Sequence, residues 1–95
     1  MIAKITYRTK RVWRGGLEYI PIECIPIEYG GKGTNSRPYM LLDNYYDNSD
    51  RPNVMIVDLS IAKNYLGHGK LHPVKRRAIQ HALYKIPLLD FIRKL

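Results

Sequence analysis

The stretch Ala3-Lys4-Ile5-Thr6-Tyr7-Arg8-Thr9-Lys10 decides how the chain reads. Ala3, Ile5 and Tyr7 point one way, and Lys4, Thr6, Arg8 and Lys10 point the other. A period of two with one apolar and one basic side is the signature of a half-buried β-strand. Val12 and Trp13 extend the strand, and Arg14-Gly15-Gly16 supplies a turn.

The chain then nearly repeats itself, with Ile20-Pro21-Ile22-Glu23-Cys24 followed by Ile25-Pro26-Ile27-Glu28-Tyr29. Isoleucine and tyrosine favour extended structure, while a proline has no N–H to give a ladder and belongs on an edge. An odd repeat of five reverses the face between copies, which predicts a bent edge strand with a bulge or bend between the two halves. Gly30 to Ser36 reads as a flexible connection; it lacks the spacing of a phosphate loop. Tyr39 to Tyr46 and Val54 to Val57 read as a hairpin around a turn rich in Asp and Asn. Ser60 is placed to cap a short helix that stops at Gly67.

The C-terminal segment is the clearest helix. His72 leads into it and Pro73 suits its first position. At helical spacing Val74, Ala78, Ile79, Ala82, Leu83 and Ile86 form an apolar arc, and Arg76, Arg77, Gln80, His81 and Tyr84 fill the opposite face. Lys75 intrudes on the apolar side. Pro87 breaks the helix and opens a second one, in which Leu88, Leu89, Ile92 and Leu95 pack inward.

Strands first and helices last predict an α+β fold: a small bent antiparallel sheet or Sm-like β-barrel followed by C-terminal α-helices. Residues 1–95 read as one domain, mainly β over 1–59, with a short helix over 60–66 and helices over 73–95 broken at Pro87. Cys24 is the only cysteine, which excludes an internal disulfide and a cysteine-based zinc site. No signal peptide or transmembrane run is visible, so the expectation is a soluble cytoplasmic protein of a bacterium or phage, in the host cytoplasm if viral.

Charge is sorted along the chain, which is +8 overall. Residues 1–14 carry five cations and no acid, residues 70–95 carry seven cations and one acid, and the middle holds the other seven acids. Basic ends point to a polyanionic partner. On the helix, Arg76, Arg77, Gln80 and Tyr84 are side chains that meet bases and phosphates, and Lys4, Arg8 and Lys10 on the strand add attraction. Lys75, Arg76 and Arg77 all sit in the first turn, where the helix dipole disfavours cations. Either an acid from the middle segment or an anionic partner must compensate.

No catalytic signature surrounds Ser36, Ser49, Ser60 or Cys24. His68 and His72 lack the pattern of a metal site, and the Asp43–Asp50 run lacks the Gly and Glu of a calcium loop. The expectation is therefore no enzyme, no metal and no cofactor. The favoured function is a small basic non-enzymatic nucleic-acid-binding or regulatory module, with DNA or RNA as its partner. The alternative is a phage-type protein-interaction module that blocks a host or defence enzyme, or a virion component, docking on an acidic protein surface. Tyr45, Tyr46 and Tyr84 would then be its anchors. No membrane partner is expected, and self-association through an edge strand is a third possibility. One connected basic face favours nucleic acid. Separate patches, or cations neutralised by Asp43, Asp47, Asp50 and Asp58, favour a protein.

The order of features from Ile5 to Tyr65 resembles a WYL domain, a small Sm-like β-barrel of bacterial and phage regulators. Ile5-Thr6-Tyr7-Arg8 matches its opening strand, Glu18-Tyr19-Ile20-Pro21-Ile22 the strand entering a proline, and Pro38-Tyr39-Met40-Leu41 the place of the name-giving triplet. Val57-Asp58-Leu59-Ser60-Ile61 resembles the closing strand, without the arginines that the family would use to bind nucleic acid or a nucleotide. The resemblance implies a barrel with Tyr39 close to a binding site.

Overall fold

Alternation along the first strand survives folding almost residue by residue. β1, Ile2–Arg11, buries Ala3, Ile5, Tyr7 and Thr9, while Arg8 and Lys10 stay exposed and Lys4 and Thr6 are half-buried. It is one of the two inner strands of the β-sheet. β2 (Leu17–Ile27) pairs along one side of it and β4 (Asn53–Asp58) along the other; β3 (Met40–Asn44) completes the order β2-β1-β4-β3. All three pairings are antiparallel. The computed structural model describes residues 1–31, 37–46 and 50–93, with side chains through Pro87 in the last segment. The Gly30–Ser36 connection from Lys32 onward, Asp47 to Ser49 of the acidic turn, and the packing expected of Leu88, Leu89, Ile92 and Leu95 lie outside what is described.

The sheet is open and does not close into a barrel: β2 and β3 are its two edges. The prolines on β2 explain the edge. Ile22 is an extra residue, because the register steps from Thr6 opposite Glu23 to Tyr7 opposite Pro21. That bulge brings Pro21 and Pro26, five residues apart, into the same phase opposite Tyr7 and Ala3. On an edge strand every second N–H points away from the sheet, so two prolines in one phase leave the ladder to β1 intact and remove donors from the open side. The bulge falls inside the first copy of the repeat, not between the copies as the period of five predicts. A second shift on β3, between Met40 and Leu42, leaves Leu41 unpaired and sets Met40 opposite Val57.

After β4 the chain turns into α1 (Leu59–Ala62) and a 3-10 turn over Lys63–Tyr65. Its cap is Asp58, not Ser60. The Asp58 carboxylate accepts the Ser60 N–H at 3.0 Å, while the Ser60 hydroxyl accepts from the terminal ammonium of Met1 at 2.9 Å. Placing the cap at the last residue of β4 lets the helix start without a linker.

α2, Pro73–Arg93, lies across the face of the sheet that carries Ala3, Ile5 and Tyr7. Val74, Ala78, Ile79, Ala82 and Ile86 are buried there, with Met55 and Val57 from β4. Helix α2 runs through Pro87, where the sequence predicts a break. The ring removes one intrahelical hydrogen bond, at about 3 kcal/mol. Burial of each large aliphatic side chain on the arc contributes about 1.5–3 kcal/mol, which outweighs that loss. Pro87 itself is exposed.

One ion pair lies inside this boundary. Lys75 on α2 is 7% exposed and its ammonium donates to the Asp43 carboxylate of β3, over the Tyr45 ring at 5.1 Å. Removing Lys75 alone leaves Asp43 uncompensated in a nearly dry site. K75A is expected to lower the unfolding free energy by about 3–5 kcal/mol, and the double variant D43L/K75M by far less. Urea denaturation of the parent and both variants measures the difference.

Candidate nucleic-acid interface

Of the four helix residues expected at the site, Arg76 is taken up by the fold, while Arg77, Gln80 and Tyr84 stay exposed. Lys75 is consumed by Asp43, the compensating acid that the first-turn cations require. Arg76 is half-buried and serves the fold: its Nε donates to the Leu66 carbonyl at 2.8 Å, and Nη2 donates to the carbonyls of His68 and Leu71 at 3.2 and 3.3 Å. It ties down the segment that leads into α2, using backbone oxygens where a phosphate was expected. His72 caps α2 through Nδ1, which accepts the Val74 N–H at 3.2 Å. His81 turns toward β2, its Nδ1 3.0 Å from the Tyr19 hydroxyl. Arg77, Gln80 and Tyr84 remain exposed, Tyr84 at 72%.

The strand half holds together. Lys4, Arg8 and Lys10 lie on the face of β1 opposite Ala3, Ile5 and Tyr7, hence on the side of the sheet away from α2. At about 3.3 Å per residue, Arg8 and Lys10 are about 7 Å apart and the row from Lys4 spans about 20 Å. Lys10 faces Glu18 across the ladder, and Arg8 faces Ile20. The row and the helix patch are thus on opposite sides of the molecule and form two surfaces.

What the sequence reading missed is at the end of the row. β1 stops at Arg11, so Val12 and Trp13 do not extend it. They form the hairpin tip with Arg14, Gly15 and Gly16. The Gly15 N–H donates to the Val12 carbonyl at 3.1 Å and the Val12 N–H donates to the Gly16 carbonyl at 3.0 Å. Gly15 has φ +81°, which glycine adopts without strain. Trp13 is 98% exposed and Arg14 is exposed beside it. The signal was present as Trp13-Arg14-Gly15-Gly16: a turn closed by a left-handed glycine leaves the two residues before it at the tip. The returning limb, Gly15 to Leu17, borders a cleft of about 330 Å³ against His72, Pro73 and Val74.

The tyrosines divide. Tyr45 is half-buried, held between the Lys75 ammonium and the His72 ring at 5.7 Å, so it is not the exposed anchor that the sequence suggests. Tyr46 is 42% exposed, with the Arg51 guanidinium 5.4 Å from its ring centre. Tyr39 is buried against Tyr65, ring centres 5.0 Å apart, and borders a cavity of about 180 Å³ shared with Arg37, His68 and Lys70. Among the described residues no group of three His, Cys, Asp or Glu side chains is placed to hold a metal ion, and no helix is long and apolar enough to cross a membrane.

Burial pushes the Tyr19 phenol up to about 12, with Cys24 adding to the rise, and pushes the buried Tyr7 phenol up in the same direction. Burial likewise raises the Cys24 thiol, against the pull of Lys85. The unfolded chain ionises its tyrosines first, from the ordinary value of 10.0, so stability present below that pH is lost as pH rises toward 12. Tyr19→Phe removes one of these groups and is expected to flatten the fall of Tm over this window, read by thermal denaturation across pH.

No family model, curated protein or solved structure matches the chain, and the reading of this surface rests on its own residues.

Proposed function

We propose that the protein is a non-enzymatic nucleic-acid-binding module, and that the binding surface is the outer face of β1 with the hairpin that ends it. The observation that carries this reading is the row Lys4, Arg8, Lys10, which runs along one strand direction and ends in Arg14 and Trp13 at an exposed tip. A linear series of cations suits a linear series of phosphates, and an aromatic at its end suits a base. By the criterion drawn from the sequence, two separate surfaces and a Lys75 neutralised by Asp43 count toward a protein partner. The nucleic-acid reading is therefore restricted to the β1 row, whose cations Asp43 does not touch, and Lys75 and Arg76 are left out of it because they serve the fold. A regulatory role and the WYL-like resemblance remain part of the proposal at the level of the sequence.

A second reading has its own support. Arg77, Gln80 and Tyr84 form an exposed patch on the other side of the molecule, and Tyr and Arg are common interface anchors. Such a patch fits an acidic protein surface.

With four or so phosphate contacts, log affinity against log salt is expected to have a slope of about −3 to −4, a loss of about a hundredfold between about 50 and 200 mM salt. The triple variant K4A/R8A/K10A is expected to abolish most of that slope, and R77A to leave it unchanged. Titration of fluorescent DNA and RNA across salt measures both. Absence of binding at low salt, with recovery of one protein partner after nuclease treatment, moves the function to the helix patch.

A further inference from the structure

The hairpin tip specifies which form of nucleic acid the surface takes. Trp13 is the only tryptophan of the chain, and it is 98% exposed at the end of the basic row. Nothing about the fold requires an indole there: the turn is closed by backbone hydrogen bonds of Val12, Gly15 and Gly16, and the foot of the hairpin is held by Leu17, which packs on the core. The tip is therefore ordered by its own backbone, and a contact made by Trp13 does not first have to order the loop.

We infer that Trp13 is a stacking platform for an unpaired base, so that the protein binds single-stranded nucleic acid in preference to a duplex. The inference rests on the nucleic-acid reading above. An indole on a convex tip reaches only a base whose face is open, and in a duplex those faces are covered by neighbouring pairs. Arg14 beside the indole, and Lys10 and Arg8 along the strand, supply the cations for the phosphates on either side. Glu18, opposite Lys10, is the acid nearest the tip along the β1–β2 ladder. It offsets part of the Lys10 charge and leaves Arg14 as the tip's principal phosphate contact. Stacking of this kind tolerates any base, since each has a π-face, and it accepts DNA or RNA.

A single tryptophan makes the test direct. Intrinsic tryptophan fluorescence of the full chain is followed during titration with short oligothymidylate, oligouridylate and a duplex of equal length. Strong quenching by either single strand, with weaker binding of the duplex, is the expected result. Trp13→Ala is expected to weaken single-strand binding by about 5- to 150-fold with an unchanged salt slope, and Trp13→Phe to restore most of it. Arg14→Ala is expected to reduce the slope by about one. Circular dichroism of W13A should match the parent, since the side chain packs on nothing. Salt-dependent binding without quenching, or with W13A equal to the parent, overturns the stacking role and leaves the nucleic-acid reading standing. Preference for the duplex also overturns it. Failure of every oligonucleotide to bind overturns both readings.

Discussion

The buried pair of Lys75 and Asp43 is the constraint around which the rest is arranged. A charged ammonium near the start of a helix is unfavourable with respect to the helix dipole, and a charged group in a dry interior is unfavourable again. Both penalties are relieved only if α2 lies with its first turn over β3, where Asp43 is found. That placement fixes the rotation of α2. The apolar arc from Val74 to Ile86 then covers Ala3, Ile5 and Tyr7, and His81 meets Tyr19 on the other side. The surroundings of the pair are polar as well: Tyr45 lies under the ammonium, and the Tyr7 hydroxyl, Asp43 Oδ1 and Asn53 Nδ2 are buried without a hydrogen-bond partner. The strongest specification of the fold is therefore also its most demanding site, since pairing must offset desolvation there.

The same pair sorts the cations by purpose. Once Lys75 holds Asp43 and Arg76 holds three backbone carbonyls, two of the seven cations of the C-terminal segment serve the fold and not the surface. The N-terminal cations are arranged differently. An alternating strand whose apolar side faces a helix must turn its other side to solvent, so Arg8 and Lys10 are exposed as a geometric consequence of burying Ile5 and Tyr7. The sheet separates the two groups, and a ligand on the β1 face does not reach Arg77, Gln80 or Tyr84.

Local patterns were legible where one residue type has one physical meaning. The alternation of β1 and the arc of α2 follow from periodicity; the edge position of β2 follows from proline chemistry; the role of His72 and Pro73 at the start of α2 follows from the geometry of helix ends. The misses share a cause. The bulge at Ile22 depends on the register with β1, the Asp58 cap on how β4 meets α1, and the continuity of α2 through Pro87 on the burial of the residues before it. Trp13 follows the alternating run directly and so reads as a continuation of the strand, whereas Gly15 closes the turn behind it.

By itself the sequence determined the elements, the faces they bury and the existence of two basic segments, because these depend on spacing along the chain. Only the tertiary structure decided which of those charges stay on the surface. Asp43 lies 32 positions from Lys75, and no local pattern says that the two meet. Their meeting, with the hold of Arg76 on the backbone, makes scaffold of two cations in one basic segment, whereas the other segment keeps its row on the surface beside an exposed indole.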